Sequence, residues 1–466
     1  MKDNNALIWL WNGIVALAIS GLYSIILVVL RTPQLSRFFL DQSMFKSALV
    51  IHVNLSVLVW LLAITCSIWS YSKVRTGFES SLAHVAFTGI LLMAFSPLYS
   101  ESEHIMNNYI PMLENIFFII GLSLFGVIVL GFAIQTVFTS FTQCDLSDYG
   151  ERIIAITKFT SAFMFICVWL CFVLSFFSVD ALSRLVPLDI DFYYEMLFWS
   201  GGHLLQFIYT QILMLVLLVL AESWRGGRVS YFAVYEILLA LNFILSLFVF
   251  GGHYQYDMSD DSFKEFYTLH MLYTGGIIPT IFIATLLLEI IQKRISDIPQ
   301  FVPIAFMSAI LLFLFGSMIE VVISGANVII PAYYHGSIFG ISTAFMGLSY
   351  MFCFQGNIYQ KINKLRGVIS YLFSKGKRIK SEKISQNAAS WQIFILTVGQ
   401  FLHITGLVLA SSYGVLKKTP ADDITLSTKI YMGMVVGGGG LIAMIGGLMF
   451  VYVCARNLYS QQIEQV

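Results

Sequence analysis

Apolar residues in this chain come in long runs separated by short polar stretches. Windows of about 20 residues, the length that crosses a hydrocarbon core, give twelve such runs. They fall at approximately 7–30, 46–71, 81–99, 115–138, 153–178, 195–221, 230–252, 265–291, 301–324, 330–355, 391–413 and 430–454. The first run carries no cleavage signature and is long enough to stay as a helix. The pattern predicts an all-α polytopic membrane protein, with residues 1–466 forming a single twelve-helix transmembrane domain. No repeat of roughly 20–50 residues interrupts it, and no second soluble domain is visible.

Composition agrees with this pattern. Of the 466 residues, 58% are hydrophobic and 11% charged, which would expose too much apolar surface in water, so the lipid bilayer is the expected partner. The 8 Trp, 23 Tyr and 40 Phe suffice for aromatic belts and for lining a large planar cofactor. A formal charge of zero offers nothing to nucleic acid. The six cysteines are scattered, and Cys167 and Cys171 are an i, i+4 pair within one helix. Without a CxxC or CxxCH motif, covalent haem, a disulfide framework and a cysteine-ligated copper pair are all disfavoured.

Loop charges set the orientation. Lys73, Arg75, Arg152, Lys158, Arg225, Arg228, Lys293 and Arg294 follow even-numbered runs. The loop after the tenth, 357–389, is the richest, with Lys361, Lys364, Arg366, Lys375, Lys377, Arg378, Lys380 and Lys383. The positive-inside rule puts both termini in the cytoplasm. The stretch Val368–Phe373 in that basic cytoplasmic loop could rest on an anionic leaflet, although a solvated loop is the simpler reading.

Five of the eight histidines then fall in the outer half of the bilayer: His52, His203, His253, His270 and His335. An imidazole in lipid is costly without a partner, and several at one level suit a haem or metal centre in a helix bundle. Taken singly, each is also explained by an interhelical hydrogen bond, the reading preferred for His403. His84 and His104 suggest no role.

Several segments, in order, resemble subunit I of the haem–copper oxidases, the family of terminal oxidases and membrane nitric oxide reductases. Ala332-Tyr333-Tyr334-His335 is similar to the helix-ten AHFH motif, and Ile51-His52-Val53 to the helix-two haem-ligand segment. Gly202-His203 is similar to the helix-six copper-ligand site, and Gly252-His253-Tyr254 falls at the family's His-His pair. Ile278-Pro279-Thr280 resembles the helix-eight Val-Pro-Thr, and 110–118 resembles the segment before helix four. The resemblance implies a haem–copper oxidase subunit I type of bundle. His52 and His335 would be axial ligands of a low-spin haem, and His203 and His253 copper ligands. A bacterial inner membrane is the location expected, and the absence of cytochrome c and paired-copper motifs points to a separate electron donor if electrons flow, with companion subunits left open.

The departures concern the reaction centre. Gly252 replaces one copper ligand, and Tyr333 replaces the histidine that would hold a second, high-spin haem. Tyrosinate can ligate haem iron, so Tyr333 could take that role, and His270 could stand in for the lost copper ligand. Phe207, Ser246 and Ile283 stand where family members carry a proton-active residue, and Glu195, Glu236, Glu289 and Glu320 all lie near helix ends. Two readings stay open: a divergent oxidoreductase passing electrons to O2 or NO, with a second haem and copper, or a non-catalytic relative keeping the haem for electron transfer, sensing or haem and copper handling. A transporter is a weaker third.

Overall fold

The computed structural model describes residues 4–31, 43–71, 78–99, 102–142, 144–323, 328–354, 368, 383–412 and 432–463. Most of the basic loop 357–389 lies outside these residues. Twelve helices are long and apolar enough to cross a membrane. In chain order they are α1 (Asn5–Leu30), α2 (Met44–Trp69), α3 (Ser80–Leu98), α4 (Ile116–Thr139), α5 (Tyr149–Ser183) and α6 (Ile190–Arg225). Then come α7 (Phe232–Gln255), α8 (Asp261–Gln292), α9 (Phe301–Glu320), α10 (Ile329–Cys353), α11 (Ser385–Ser411) and α12 (Gly437–Leu458). The even number of crossings returns both chain ends to one face, called here the terminal face; the other is the far face.

The predicted runs recover all twelve helices, and the main differences are at the ends. Helix α6 has 36 residues, about 54 Å of helix, well beyond what a bilayer core needs. Its extra turns are polar and held by local chemistry: Asp189 accepts from Asp191 N and Phe192 N, and Gly226 closes the other end at φ 70°. Helix α5 is lengthened in the same way, with Asp148 accepting from Glu151 N. At the terminal face Arg225 pairs with the fully buried Glu289 at 3.1 Å, and Glu289 also accepts from Tyr231 N at 2.8 Å, pinning the α6–α7 turn.

Burial ranks the helices. The apolar windows of α6, α10 and α2 are 94%, 89% and 72% buried, so these three form the centre and the others face lipid on one side. Small residues set the closest approaches, since lipid supplies little drive for helices to associate. A Cβ on Gly316 of α9 would lie 2.3 Å from Ser337 N of α10, and one on Gly336 would lie 2.4 Å from Gly316 Cα. Gly89 and Gly121 do the same for α3 and α4. In α12, Gly439 and Gly446 touch the α11 backbone, whereas Gly437, Gly438 and Gly447 meet nothing within 4 Å. The glycine run thus serves packing through two of its members.

Three segments among the described residues are π-helical: Asn54–Val59 in α2, Met271–Gly275 in α8 and Met432–Gly439 leading into α12. A short antiparallel hairpin pairs β1 (His104–Ile105) with β2 (Met112–Leu113) at the far face.

The glycine contact between α9 and α10 gives a direct test. Gly316→Leu should destabilise the bundle by about 1–3 kcal/mol through overpacking, whereas Gly131→Leu, which faces open space, should be close to neutral. Thermal unfolding of both variants in detergent checks this.

Candidate functional site: two imidazole clusters and a cleft

His52 lies eight residues into α2 and His335 six residues into α10, depths of about 12 and 9 Å from the far-face ends of the two helices. The His52 Nδ1 is 3.1 Å from the Ser20 carbonyl oxygen of α1 and 2.9 Å from Ser20 Oγ. A carbonyl oxygen can only accept, so Nδ1 carries the proton and the ring lone pair sits on Nε2. His335 repeats the arrangement: Nδ1 donates to Gln400 Oε1 of α11 at 3.3 Å, which again leaves Nε2 as the basic nitrogen. The His335 ring stacks on Phe339 at 5.4 Å and meets His403 edge-on at 4.5 Å. His403 is wedged against Gly439 and Gly440.

Helices α2 and α10 are drawn together toward the terminal face. Phe450 of α12 bridges Trp60 at 5.6 Å and Tyr350 at 5.4 Å, and Tyr71 stacks on Phe352 at 5.8 Å. At the histidine level the same two buried helices turn half-buried side chains to their surroundings, His52 with Ser56 and His335 with Phe339, each pair one turn apart. The two imidazoles, each oriented through Nδ1 by an oxygen of a neighbouring helix, have the residue chemistry of haem axial ligands. Orientation of each ligand ring by a second acceptor is the pattern metal-binding histidines follow.

The second cluster surrounds His203. Its Nδ1 lies 2.8 Å from the Trp199 carbonyl oxygen, one turn back on α6, and donates to it. The Tyr109 hydroxyl reaches the ring from the 99–115 segment and lies 2.9 Å from both nitrogens; with Nδ1 donating to Trp199 O, Nε2 is the nitrogen that accepts from it. Tyr109 presses so closely on α6 that a Cβ at Gly202 would lie 2.1 Å from its ring. Burial, then the nearby Tyr334, Tyr333, Glu195 and Glu320, hold the Tyr109 phenol well above its usual pKa, so it remains a hydrogen-bond donor. His253 Nε2 pairs with Ser200 Oγ at 2.8 Å. His270 Nε2 donates to Leu245 O at 2.8 Å, and its ring stacks on Phe207 at 4.9 Å.

These three histidines are separated by aromatic rings. Tyr267 stands between His203 and His253, 5.4 and 6.2 Å from their ring centres, and its hydroxyl would be 2.6 Å from a Cβ on Gly252. A phenol thus fills the space next to the position where the resemblance expects another histidine. Among the described residues, no group of three or more His, Cys, Asp or Glu is placed to hold a metal ion. With both nitrogens of His203 engaged and Tyr267 interposed, the set does not fit a copper ion.

Tyr333, the expected ligand of a second haem, points elsewhere. Its hydroxyl donates to Gln206 Oε1 of α6 at 3.4 Å, and it lines a small cleft of about 30 Å³ among α6, α8, α9 and α10. Gln206, Tyr209, Met271, Ser317, Glu320 and Tyr334 line it too.

Tyr109 is the residue that sequence reasoning missed, and its hairpin joins the clusters. Asn54, directly after the His52 turn, donates to Pro111 O at 2.7 Å, and Ser47 pairs with His104 Nε2 at 2.8 Å. On the other side, Asn108 N donates to Glu195 Oε2 at 2.8 Å and Met106 N to Asp191 Oδ1 at 2.9 Å. The segment that resembled the family's pre-helix-four motif ends at Asn115, which caps α4 by accepting from Phe117 N and Phe118 N.

Comparison with known proteins gives a fold and a set of relatives. No family model matches the chain. A chain from a cryo-EM structure of a heme-copper terminal oxidase dimer superposes with a TM-score of 0.68, over 100% of this chain and 84% of that one, at 14% identity. The bundle therefore has the haem–copper oxidase fold. An Aquifex aeolicus (strain VF5) protein named only "Uncharacterized protein" is 24% identical over 78% of this chain and 89% of its own length. "Uncharacterized protein RP382" of Rickettsia prowazekii (strain Madrid E) is 40% identical over 98% of this chain and 97% of its own. The chain is an integral membrane protein of oxidase fold and belongs to the same family as RP382.

Proposed function

We propose that this protein is a membrane haem protein that holds one low-spin haem between His52 and His335 and uses it for electron transfer. The observation that carries the reading is the matched pair of Nδ1 contacts, one to the Ser20 carbonyl oxygen and one to Gln400 Oε1. Each fixes a tautomer whose Nε2 lone pair is the ligating atom. A bound haem would supply reversible one-electron transfer. The protein would supply the ring orientations, and Phe339 and His403 would hold the His335 ring in place.

The loop charges support a cytoplasmic terminal face, and a bacterial inner membrane is the corresponding location. With no CxxCH or paired-copper motif, electrons would come from a separate donor or a companion subunit. A second reading keeps a reaction with O2 or NO. What favours it is Tyr109, a buried phenol that keeps its proton and gives a hydrogen bond to His203 beside the second cluster. Reading by donor geometry, the non-copper arrangement weighs toward the first.

Two measurements test this. His335→Ala and His52→Ala should each abolish the low-spin reduced-minus-oxidised spectrum of the purified protein, whereas Tyr109→Phe should leave it unchanged. Gln400→Leu should keep a low-spin spectrum but weaken haem retention about 10–100-fold, the usual effect of losing a ligand's hydrogen-bond acceptor. A colourless wild-type protein would end the haem reading. Carbon monoxide separates the two functions: a six-coordinate bis-imidazole haem should give little change on the reduced protein, and a strong CO spectrum with O2 or NO consumption would establish the reductase.

A further inference from the structure

The cleft beside Tyr333 belongs to neither cluster. Its shallow end, toward the far face, is formed by Glu320 and Ser317 of α9 and Tyr333, Tyr334 and Ser337 of α10. Its deep end, about 10 Å further in along α9, is formed by Phe313 and Ile341. Gln206, Tyr209 and Thr210 of α6 line its floor, and Met271, Gly275 and Gly276 of α8 its side. Gly276 adds no bulk there: a Cβ would meet only Leu272 O, at 3.6 Å.

The chemistry of this lining is that of a water site. The Ser317 and Ser337 hydroxyls donate to their own helix, to Phe313 O at 3.1 Å and Tyr333 O at 2.8 Å. Their oxygen lone pairs are thereby left as acceptors, and the Gln206 side chain brings an amide whose oxygen already receives Tyr333. Glu320 is half-buried and has no ion pair among the described residues. A carboxylate at this depth without a cation must be either hydrated or protonated, because an isolated charge in hydrocarbon is costly. Two to four polar partners suffice to keep a water in such a space, and the shallow end offers more.

We propose that this cleft is a water-filled path through which Glu320 exchanges protons with the far face. A proton would arrive over water from the far face, bond to a Glu320 carboxylate oxygen and leave by the same waters, with Tyr333 and Gln206 remaining a neutral hydrogen-bonded part of the lining. The use of such protons, to balance charge when electrons arrive, rests on the haem reading; the path itself does not.

Substituted-cysteine labelling in sealed vesicles tests it, in a Cys144→Ser background because the five other native cysteines are buried. Ser317→Cys and Ser337→Cys should react with charged, membrane-impermeant methanethiosulfonates applied to the far face. Ser349→Cys, buried deeper in α10, and Leu311→Cys, on the lipid side of α9, should not. With Glu320 present, the cationic reagent should outpace the anionic one, and Glu320→Gln should shrink that ratio by about threefold or more. Labelling of Ser317→Cys and Ser337→Cys by lipid-soluble maleimide only would show an apolar, lipid-filled gap and overturn the proposal. So would labelling from the terminal face only, or a ratio indifferent to Glu320→Gln. A protein found to lack haem would overturn the electron-transfer reading and leave these labelling outcomes intact.

Discussion

Inside a bilayer a polar side chain has no water to fall back on, and that constraint orders this molecule. Each imidazole of the two clusters has a partner drawn from another segment or from its own helix: Ser20 for His52, Trp199 and Tyr109 for His203, Ser200 for His253, Leu245 for His270 and Gln400 for His335. These bonds do more than satisfy the rings. Each chooses which nitrogen keeps its proton, and so decides what the other nitrogen can do. At His52 and His335 the oxygen sits on Nδ1 and the ring is half-buried. At His203 a second contact, from the Tyr109 hydroxyl, makes the ring part of a hydrogen-bonded core.

The far-face hairpin follows from the same accounting. Its backbone and side chains take up Asn54 from α2 and meet Asp191 and Glu195 from α6, so the strap replaces hydration at the mouth of the bundle. Tyr109 at its tip then enters the space over Gly202 that any side chain there would occupy. The hairpin links the turn that follows His52 to the ring of His203 through a few residues of backbone. The turn after His52 and the His203 ring are thereby tied together by a segment that is not itself transmembrane.

Much of this was legible in the sequence. Long apolar runs located the twelve helices because only a continuous hydrogen-bonded helix can carry such a run through lipid, and the depth of His52 and His335 came from counting residues along them. What escaped was what depends on polar turns and on contacts distant in sequence. The polar ends of α5 and α6 look like loop until Asp148 and Asp189 are seen capping them. Tyr109 sits in a loop with no periodicity to mark it. That Tyr267, fifteen residues along and on the next helix, fills the space beside Gly252 could not be read from spacing alone. Gln400 is one polar residue among several in α11, and its meaning appears only against His335.

The π-helical turns hold a last consequence. A π turn is an α-helix with one residue too many, frequently found at functional sites. One begins two residues after His52 and another directly after His270, and in each a hydroxyl four residues on, Ser56 or Thr274, reaches back to the histidine's own carbonyl. In α2 the extra residue means that the half bearing His52 and the half bearing Trp60 obey different phases, offset by about 100° from an unbroken helix. Excising one residue between Asn54 and Val59 would keep every remaining side chain yet rotate His52 relative to the Trp60–Phe450 contact. The direction of the His52 ring is therefore encoded by residue count as well as residue identity, and an insertion or deletion there would alter it without touching the histidine.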